Sequence, residues 1–206
     1  MVPASDSRPV DARAADAAFE TPAVLSMEAS GSGPDSYPVE VGLVLPDGTC
    51  RCTLIRPPTH WTHWDPRAER MHRIPREAAV AHGRDVAEVA AQLNALLAGR
   101  TVYCDGRGHE PAGPAQGQIP DGAARKLPDE QAWLRRLFDA AGTPPAFTLE
   151  NLRVLLSDRE AAFWHVLQQQ VATEMHLQRH RASADAKIIQ LTLMRMRGPL
   201  PEPPRG

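Results

Sequence analysis

Residues 23–28 read AVLSME, and residues 29–42 continue as ASGSGPDSYPVEVG. The first six residues predict a short buried strand, whose alternation puts Val24, Ser26 and Glu28 on one face. A carboxylate near a core costs free energy unless a partner or a metal compensates it, so Glu28 needs a reason. The following stretch predicts a Gly-rich turn and a second strand. We therefore expect distant parts of the chain to converge on Glu28.

The composition is typical of a soluble globular protein, since hydrophobic residues make up 42% of the 206 residues and charged residues 23%. A net charge of -2 excludes a broad basic surface for nucleic acid, so any such binding needs a local groove. Three cysteines and no secretory signal indicate a reducing compartment. Because no apolar run reaches the ~18 residues of a membrane span, we predict a cytoplasmic protein that contacts no membrane.

The chain is predicted to form one domain over residues 21–197, flanked by disordered ends. Residues 1–20 contain almost no large apolar side chain and predict a disordered arm. Residues 198–206 predict a proline-rich, disordered tail. Residues 107–127 are rich in Gly, Pro, Ala and Gln, which predicts a flexible insertion inside the domain.

Apolar alternation predicts strands within this domain, and amphipathic spacing predicts helices. The predicted strands cover residues 23–28, 38–45, 49–56 and 101–104, with a fifth inside 147–156. The predicted helices cover residues 75–82, 85–98, 129–141, 157–178 and 183–197. Residues 57–76 are expected to form a proline-rich loop. In the helix over 157–178, the residues expected to face the core are Phe163, Val166, Leu167 and Val171.

Two more carboxylates lie where an α/β sheet would bring them toward Glu28. Asp105 follows the fourth strand, and Asp185 lies in the first turn of the last helix, five residues after His180. Ligands of open α/β sheets bind at strand ends. Three carboxylates brought together would repel unless a divalent cation held them, and oxygen ligands select Mg²⁺ or Mn²⁺. A histidine beside such a site can take a proton from an attacking water.

Three motifs of the chain resemble the DEDD superfamily of 3′–5′ exonucleases, in the DEDDh branch of proofreading and ribonuclease T-like enzymes. The motifs are SMEASGSGPDSYPVEVG at 26–42, VYCDG at 102–106 with QAWLRRLF at 131–138, and HRASADA at 180–186. The resemblance spans residues 23–196. It implies an α/β, ribonuclease H-like fold, with a five-stranded mixed sheet and helices on both faces.

The resemblance also implies an activity, namely hydrolysis of single-stranded DNA or RNA from the 3′ end by a two-metal mechanism. Glu28, Asp105 and Asp185 would be catalytic residues that hold Mg²⁺ or Mn²⁺, Asp105 directly or through water. His180 would be the general base. Some exonucleases of this type form homodimers, and a homodimer stays open because nothing in this sequence marks an interface.

Ser26 departs from the family pattern, in which an aspartate that bridges both cations occupies this position. A neutral hydroxyl removes one negative charge from the site, and affinity for divalent cations depends on the number of charged ligands. We expect weaker binding of the second cation and slow or absent hydrolysis. The alternative function is a catalytically inactive nuclease fold that serves as a nucleic-acid-binding or interaction module.

A third interpretation is a zinc-dependent binding protein. Cys50 and Cys52 share one face of the third strand, and His60 and His63 follow shortly. Cysteine and histidine are the usual zinc ligands, but the C-x-C spacing is unlike that of common zinc sites. Small residues that pack on a strand explain the two cysteines more simply.

Overall fold

The computed structural model describes residues 20–106 and 130–197. The predicted arm (except Glu20), the predicted insertion and the predicted tail lie outside the described residues. The elements in chain order are β1 Ala23–Ala29, β2 Pro38–Val44, β3 Cys50–Leu54, α1 Pro66–His72, α2 Arg76–His82, α3 Val86–Leu97, β4 Thr101–Cys104, α4 Glu130–Ala141, β5 Thr148–Asn151, α5 Asp158–Glu174 and α6 Ala182–Arg197. No helix in the described part of the chain is long and apolar enough to cross a bilayer.

The five strands form one mixed sheet in the order β3-β2-β1-β4-β5. The central strand β1 pairs antiparallel with β2 and parallel with β4. The strands β2 and β3 form an antiparallel hairpin, and β4 pairs parallel with β5. With helices on both faces of this sheet, the predicted α/β, ribonuclease H-like fold is confirmed.

β1 divides the core into two layers, because its side chains alternate between the two faces of the sheet. Leu25 and Met27 pack with α3 and α4 on one face, whereas Val24 packs with α5 and α6 on the other. The predicted alternation is therefore confirmed. The alternation places the side chains of Ser26 and Glu28 on the face of the sheet that α5 and α6 cover. The candidate site lies on this face.

The segment predicted as a proline-rich loop contains the helix α1. Asp65 caps this helix by accepting a hydrogen bond from the backbone N–H of Arg67, and Pro66 occupies the first helical position. A proline there starts a helix rather than ending it, because its missing N–H has no partner in the first turn anyway. The loop prediction is wrong at these residues for that reason.

The buried face of α5 differs from its prediction at two positions. Phe163 and Val166 are 60% and 58% exposed, whereas Trp164 and Gln168 are buried and Val171 is buried as predicted. Apolar spacing alone could not find this face, because one of its members is a glutamine. The polar contacts that Trp164 and Gln168 make are part of the candidate site.

Gly42 lets α6 approach β2 more closely than any side chain would allow. A Cβ atom at this position would lie 2.1 Å from the carbonyl carbon of Ala182 and 2.1 Å from the backbone nitrogen of Ser183. The first turn of α6 therefore rests directly on the backbone of β2. This contact brings the segment just before α6, which contains His180, to the central strands of the sheet.

Candidate metal centre

Three of the four predicted site residues come together at one end of the sheet. Glu28 lies near the end of β1, His180 lies in the loop before α6, and Asp185 lies in the N-terminal part of α6. Each offers one ligand atom, and these atoms all lie within 4.8 Å of one another. Among the described residues, no other group of three or more His, Cys, Asp or Glu side chains is arranged in this way.

The two carboxylates of this cluster are removed from water, since Glu28 is 3% exposed and Asp185 is 6% exposed. Two like charges at such a separation repel by about 3 kcal/mol at an effective dielectric constant of about 20. Arg179 offsets part of this repulsion with Nε at 3.7 Å from Asp185 Oδ1, but its side chain is 46% exposed and therefore screened. A divalent cation would offset it more fully.

The cluster has the size and chemistry that a divalent cation needs. Oxygen ligands at about 2.1 Å from one Mg²⁺ ion lie roughly 3–4 Å from each other. The ligand atoms of Glu28, His180 and Asp185 lie within 4.8 Å of one another, which is close to that spacing. The two carboxylates suit Mg²⁺ or Mn²⁺, whereas an imidazole is a preferred ligand of metals such as Zn²⁺.

The loop before α6 is closed by a carboxylate of that helix. The backbone N–H of His180 donates a hydrogen bond to Asp185 Oδ2 at 3.0 Å. His180 has a φ of 65°, in the left-handed region, which reverses the chain at this residue. The five-residue spacing of the HRASADA motif therefore holds the imidazole and the carboxylate on the same side of the loop.

An ion pair between a buried carboxylate and a half-exposed arginine attaches this loop to β2. Glu40 is 0% exposed and lies opposite Glu28 in the pairing of β1 with β2. Its carboxylate accepts hydrogen bonds from Arg181 Nε and Nη2, at 3.1 and 2.5 Å from Oε1, and from the backbone N–H of Ala182, at 2.8 Å. The hydrogen bonds to Glu40 raise the pKa of Arg181 above its ordinary value, so the guanidinium stays charged.

Arg181→Ala is expected to lower the free energy of unfolding by about 2 kcal/mol, because it leaves the buried Glu40 carboxylate without its charged partner. The loss is smaller than for a fully buried pair because the Arg181 side chain is 45% exposed. Urea denaturation followed by circular dichroism measures it. Arg195→Ala, which removes a more exposed pair with Glu174, is the matched control and should cost clearly less than Arg181→Ala. Equal losses in the two variants would contradict the role of Arg181.

Asp105 is not part of the three-residue cluster. It follows the last residue of β4, and its Oδ2 accepts hydrogen bonds from Trp164 Nε1 at 3.2 Å and Gln168 Nε2 at 3.1 Å. Its Oδ1 is buried and makes no hydrogen bond within residues 20–106 and 130–197. The role of Asp105 as a metal ligand, directly or through water, therefore stays a prediction.

Ser26 is buried and contacts a carboxylate that the sequence did not indicate. Its hydroxyl donates a hydrogen bond to Oε1 of Glu130, the first residue of α4, at 3.1 Å. The two residues are 104 positions apart, and Glu130 lies just beyond the predicted insertion. Its place in the first turn of a helix, where acidic residues are common, gave no signal of a functional role.

The residues of the zinc interpretation do not form a metal cluster within the described chain. Cys50 and Cys52 are exposed on β3. His63 instead lies near the turn after β1, with Nδ1 at 3.3 Å from the hydroxyl of Ser30. The described structure therefore favours the site around Glu28 over a zinc site at the hairpin.

The sequence matches no protein-family model and no curated protein. Solved structures that share its fold include two of E. coli exonuclease I. A zinc-bound complex with single-stranded DNA aligns with a TM-score of 0.57 at 15% identity, and a complex with a dA16 oligonucleotide aligns with a TM-score of 0.58 at 14% identity. Both alignments cover 85% of this chain and 40% of the exonuclease chain.

A product-bound structure of exonuclease I is similar as well, with a TM-score of 0.55 at 12% identity over 85% of this chain and 43% of that chain. The chain thus spans about two fifths of the length of these exonuclease I chains. At such low identities the similarity concerns the backbone architecture only. The described chain has the fold of a nuclease.

Proposed function

We propose that residues 21–197 form a metal-dependent exonuclease domain of the DEDDh type, which hydrolyses single-stranded DNA or RNA from the 3′ end. The observation that carries this proposal is the convergence of Glu28, near the start of the described chain, with His180 and Asp185, near its end, to within 4.8 Å. The two buried carboxylates suit a divalent cation, and the imidazole beside them can accept a proton. The similarity to exonuclease I structures that contain single-stranded DNA supports the choice of substrate.

The side chains of the cluster have complementary roles in this proposal. Glu28, Asp185 and Asp105 would hold Mg²⁺ or Mn²⁺, which when bound supplies a Lewis acid for phosphodiester hydrolysis. His180 accepts the proton of the attacking water. Asp185 also accepts a hydrogen bond from the backbone N–H of His180, so the same carboxylate holds the loop that contains His180. The pair of Glu40 and Arg181 keeps this loop against the sheet.

The purified full chain is expected to shorten a 5′-labelled single strand of DNA or RNA stepwise from the 3′ end in the presence of Mn²⁺. Denaturing gel electrophoresis would show a ladder of products that keep the 5′ label. A chelator and the Asp185→Asn variant should each abolish the ladder, because both remove the cation. Products that lose the 5′ label first, or a ladder that persists in Asp185→Asn, would contradict the proposal.

The competing function is a nuclease fold that binds single strands without hydrolysing them. The neutral, buried hydroxyl of Ser26 favours it, because it removes one charge from the site. The same preparation distinguishes the two functions. Retention of a labelled strand in a gel-shift assay, with no shortening at any Mn²⁺ concentration, would support the binding module over the enzyme.

A further inference from the structure

Glu130 brings a carboxylate to the position next to Ser26. Glu130 is 4% exposed. One of its carboxylate oxygens accepts a hydrogen bond from a residue of β1, and the other accepts one from the segment that follows β4. Oε1 accepts from the hydroxyl of Ser26 at 3.1 Å, and Oε2 accepts from the backbone N–H of Gly106 at 3.1 Å. These two contacts fix the carboxylate between the chain segments of β1 and β4.

The sheet provides room for this side chain because its two central parallel strands have different lengths. β4 pairs with β1 only at Ala23 and Val24, and it ends at Cys104, whereas β1 continues to Ala29. In this register Cys104 lies beside Leu25, so the edge of β1 from Ser26 onward is not covered by β4. Gly106 turns the chain away with a φ of 66°, and the carboxylate of Glu130 occupies the space beside Ser26.

The position is close to the candidate metal centre. Ser26 and Glu28 are two residues apart on one face of β1, a separation of about 7 Å along the strand. Asp105, whose Oδ1 is buried without a hydrogen bond in the described chain, immediately precedes Gly106, whose amide donates to Glu130. Glu130 thus adds a negative charge on the side of the centre where the serine contributes none.

We propose that Glu130 is a ligand of the divalent cations and supplies the carboxylate that position 26 lacks, with the Ser26 hydroxyl orienting it. This inference rests on the proposed exonuclease function. It reverses the expectation that the serine leaves the centre one charge short, because Glu28, Asp105, Asp185 and Glu130 together provide four carboxylates. A residue of α4 would then provide the carboxylate ligand that position 26 of β1 does not.

The experiment is a calorimetric titration of the full chain with Mn²⁺ in the absence of nucleic acid, paired with the 3′-shortening assay. Glu130→Gln keeps the size of the side chain and one acceptor oxygen but removes the charge, and it should weaken Mn²⁺ binding at least about 10-fold. Asp139→Asn removes an exposed carboxylate from the same helix and should leave the affinity unchanged. The double variant Ser26→Asp with Glu130→Gln returns one carboxylate to the site and should restore most of the affinity.

The outcomes separate this inference from the proposed function. If Glu130→Gln binds Mn²⁺ as tightly as the wild type while Asp185→Asn does not bind, Glu130 is only a structural residue and the inference is wrong. If the wild type neither binds Mn²⁺ nor shortens a strand, both proposals are wrong. Thermal melting followed by circular dichroism shows whether Glu130→Gln is folded, and failure of the folded double variant to regain Mn²⁺ binding would also overturn the inference.

Discussion

Replacing His180 with asparagine is expected to slow 3′-end cleavage by about 10²–10⁴-fold, because no side chain then accepts the proton of the attacking water. Asparagine is the informative substitution because His180 has a φ of 65°, and asparagine adopts left-handed backbone conformations more readily than alanine. The fold should therefore survive the change. The rate is measured as release of 3′ nucleotides from a labelled strand at saturating Mn²⁺.

The chain offers a matched control for this substitution. His176 also has a positive φ, of 51°, and it is exposed just after α5, so His176→Asn should leave the rate unchanged. A general base and a metal ligand are distinguished by calorimetry. If Mn²⁺ affinity falls in His180→Asn as much as the rate does, His180 is a ligand of the cation rather than the base.

Gly42→Ala is expected to lower the free energy of unfolding by about 3 kcal/mol, at the upper end of the range for overpacked cores. The added methyl would meet the backbone of Ala182 and Ser183 at 2.1 Å, and backbone atoms cannot rotate away as a flexible side chain can. α6 would have to move as a unit away from β2. Since α6 carries Asp185 and follows His180, cleavage should fall together with stability. Urea denaturation and the 3′-shortening assay measure the two effects.

Gly99→Ala is the control for the effect of removing a glycine. Gly99 has a φ of 71°, and a Cβ atom added there would have no neighbour from the described chain within 4 Å. Its replacement should therefore cost only the left-handed strain of about 1–2 kcal/mol. It should leave cleavage at the wild-type rate below the melting temperature. A Gly42→Ala variant that is as stable and as active as Gly99→Ala would show that α6 needs no close approach to β2.

Much of the fold follows from local patterns in the sequence. The alternation of Leu25 and Met27 against Val24 predicts the two layers, and residues 46–48 predict the turn between β2 and β3. The face of α5 does not follow from such patterns. Trp164 and Gln168 are turned inward to donate hydrogen bonds to Asp105, from which they lie 59 and 63 positions away. A tertiary contact therefore overrides the apolar spacing of this helix.

The candidate site was predictable where its residues lie in compact motifs. Glu28 lies near the end of a buried strand, and His180 and Asp185 share one seven-residue motif, so each has a local signal. Glu130 has none, because only the folded chain brings it to Ser26. The partner of Glu40 was equally out of reach, since it lies 141 residues away in Arg181.

The contact between β2 and the start of α6 has a consequence for anyone who transplants this centre into another protein. Gly42 permits the approach, the approach places the Ala182 N–H on Glu40, and Glu40 in turn holds Arg181 beside the histidine. Transferring only the carboxylates and the imidazole to another fold would therefore not reproduce their arrangement. The PVEVG strand and the HRASADA segment would have to be transferred together, because the contacts between them place the imidazole of His180 beside the carboxylates.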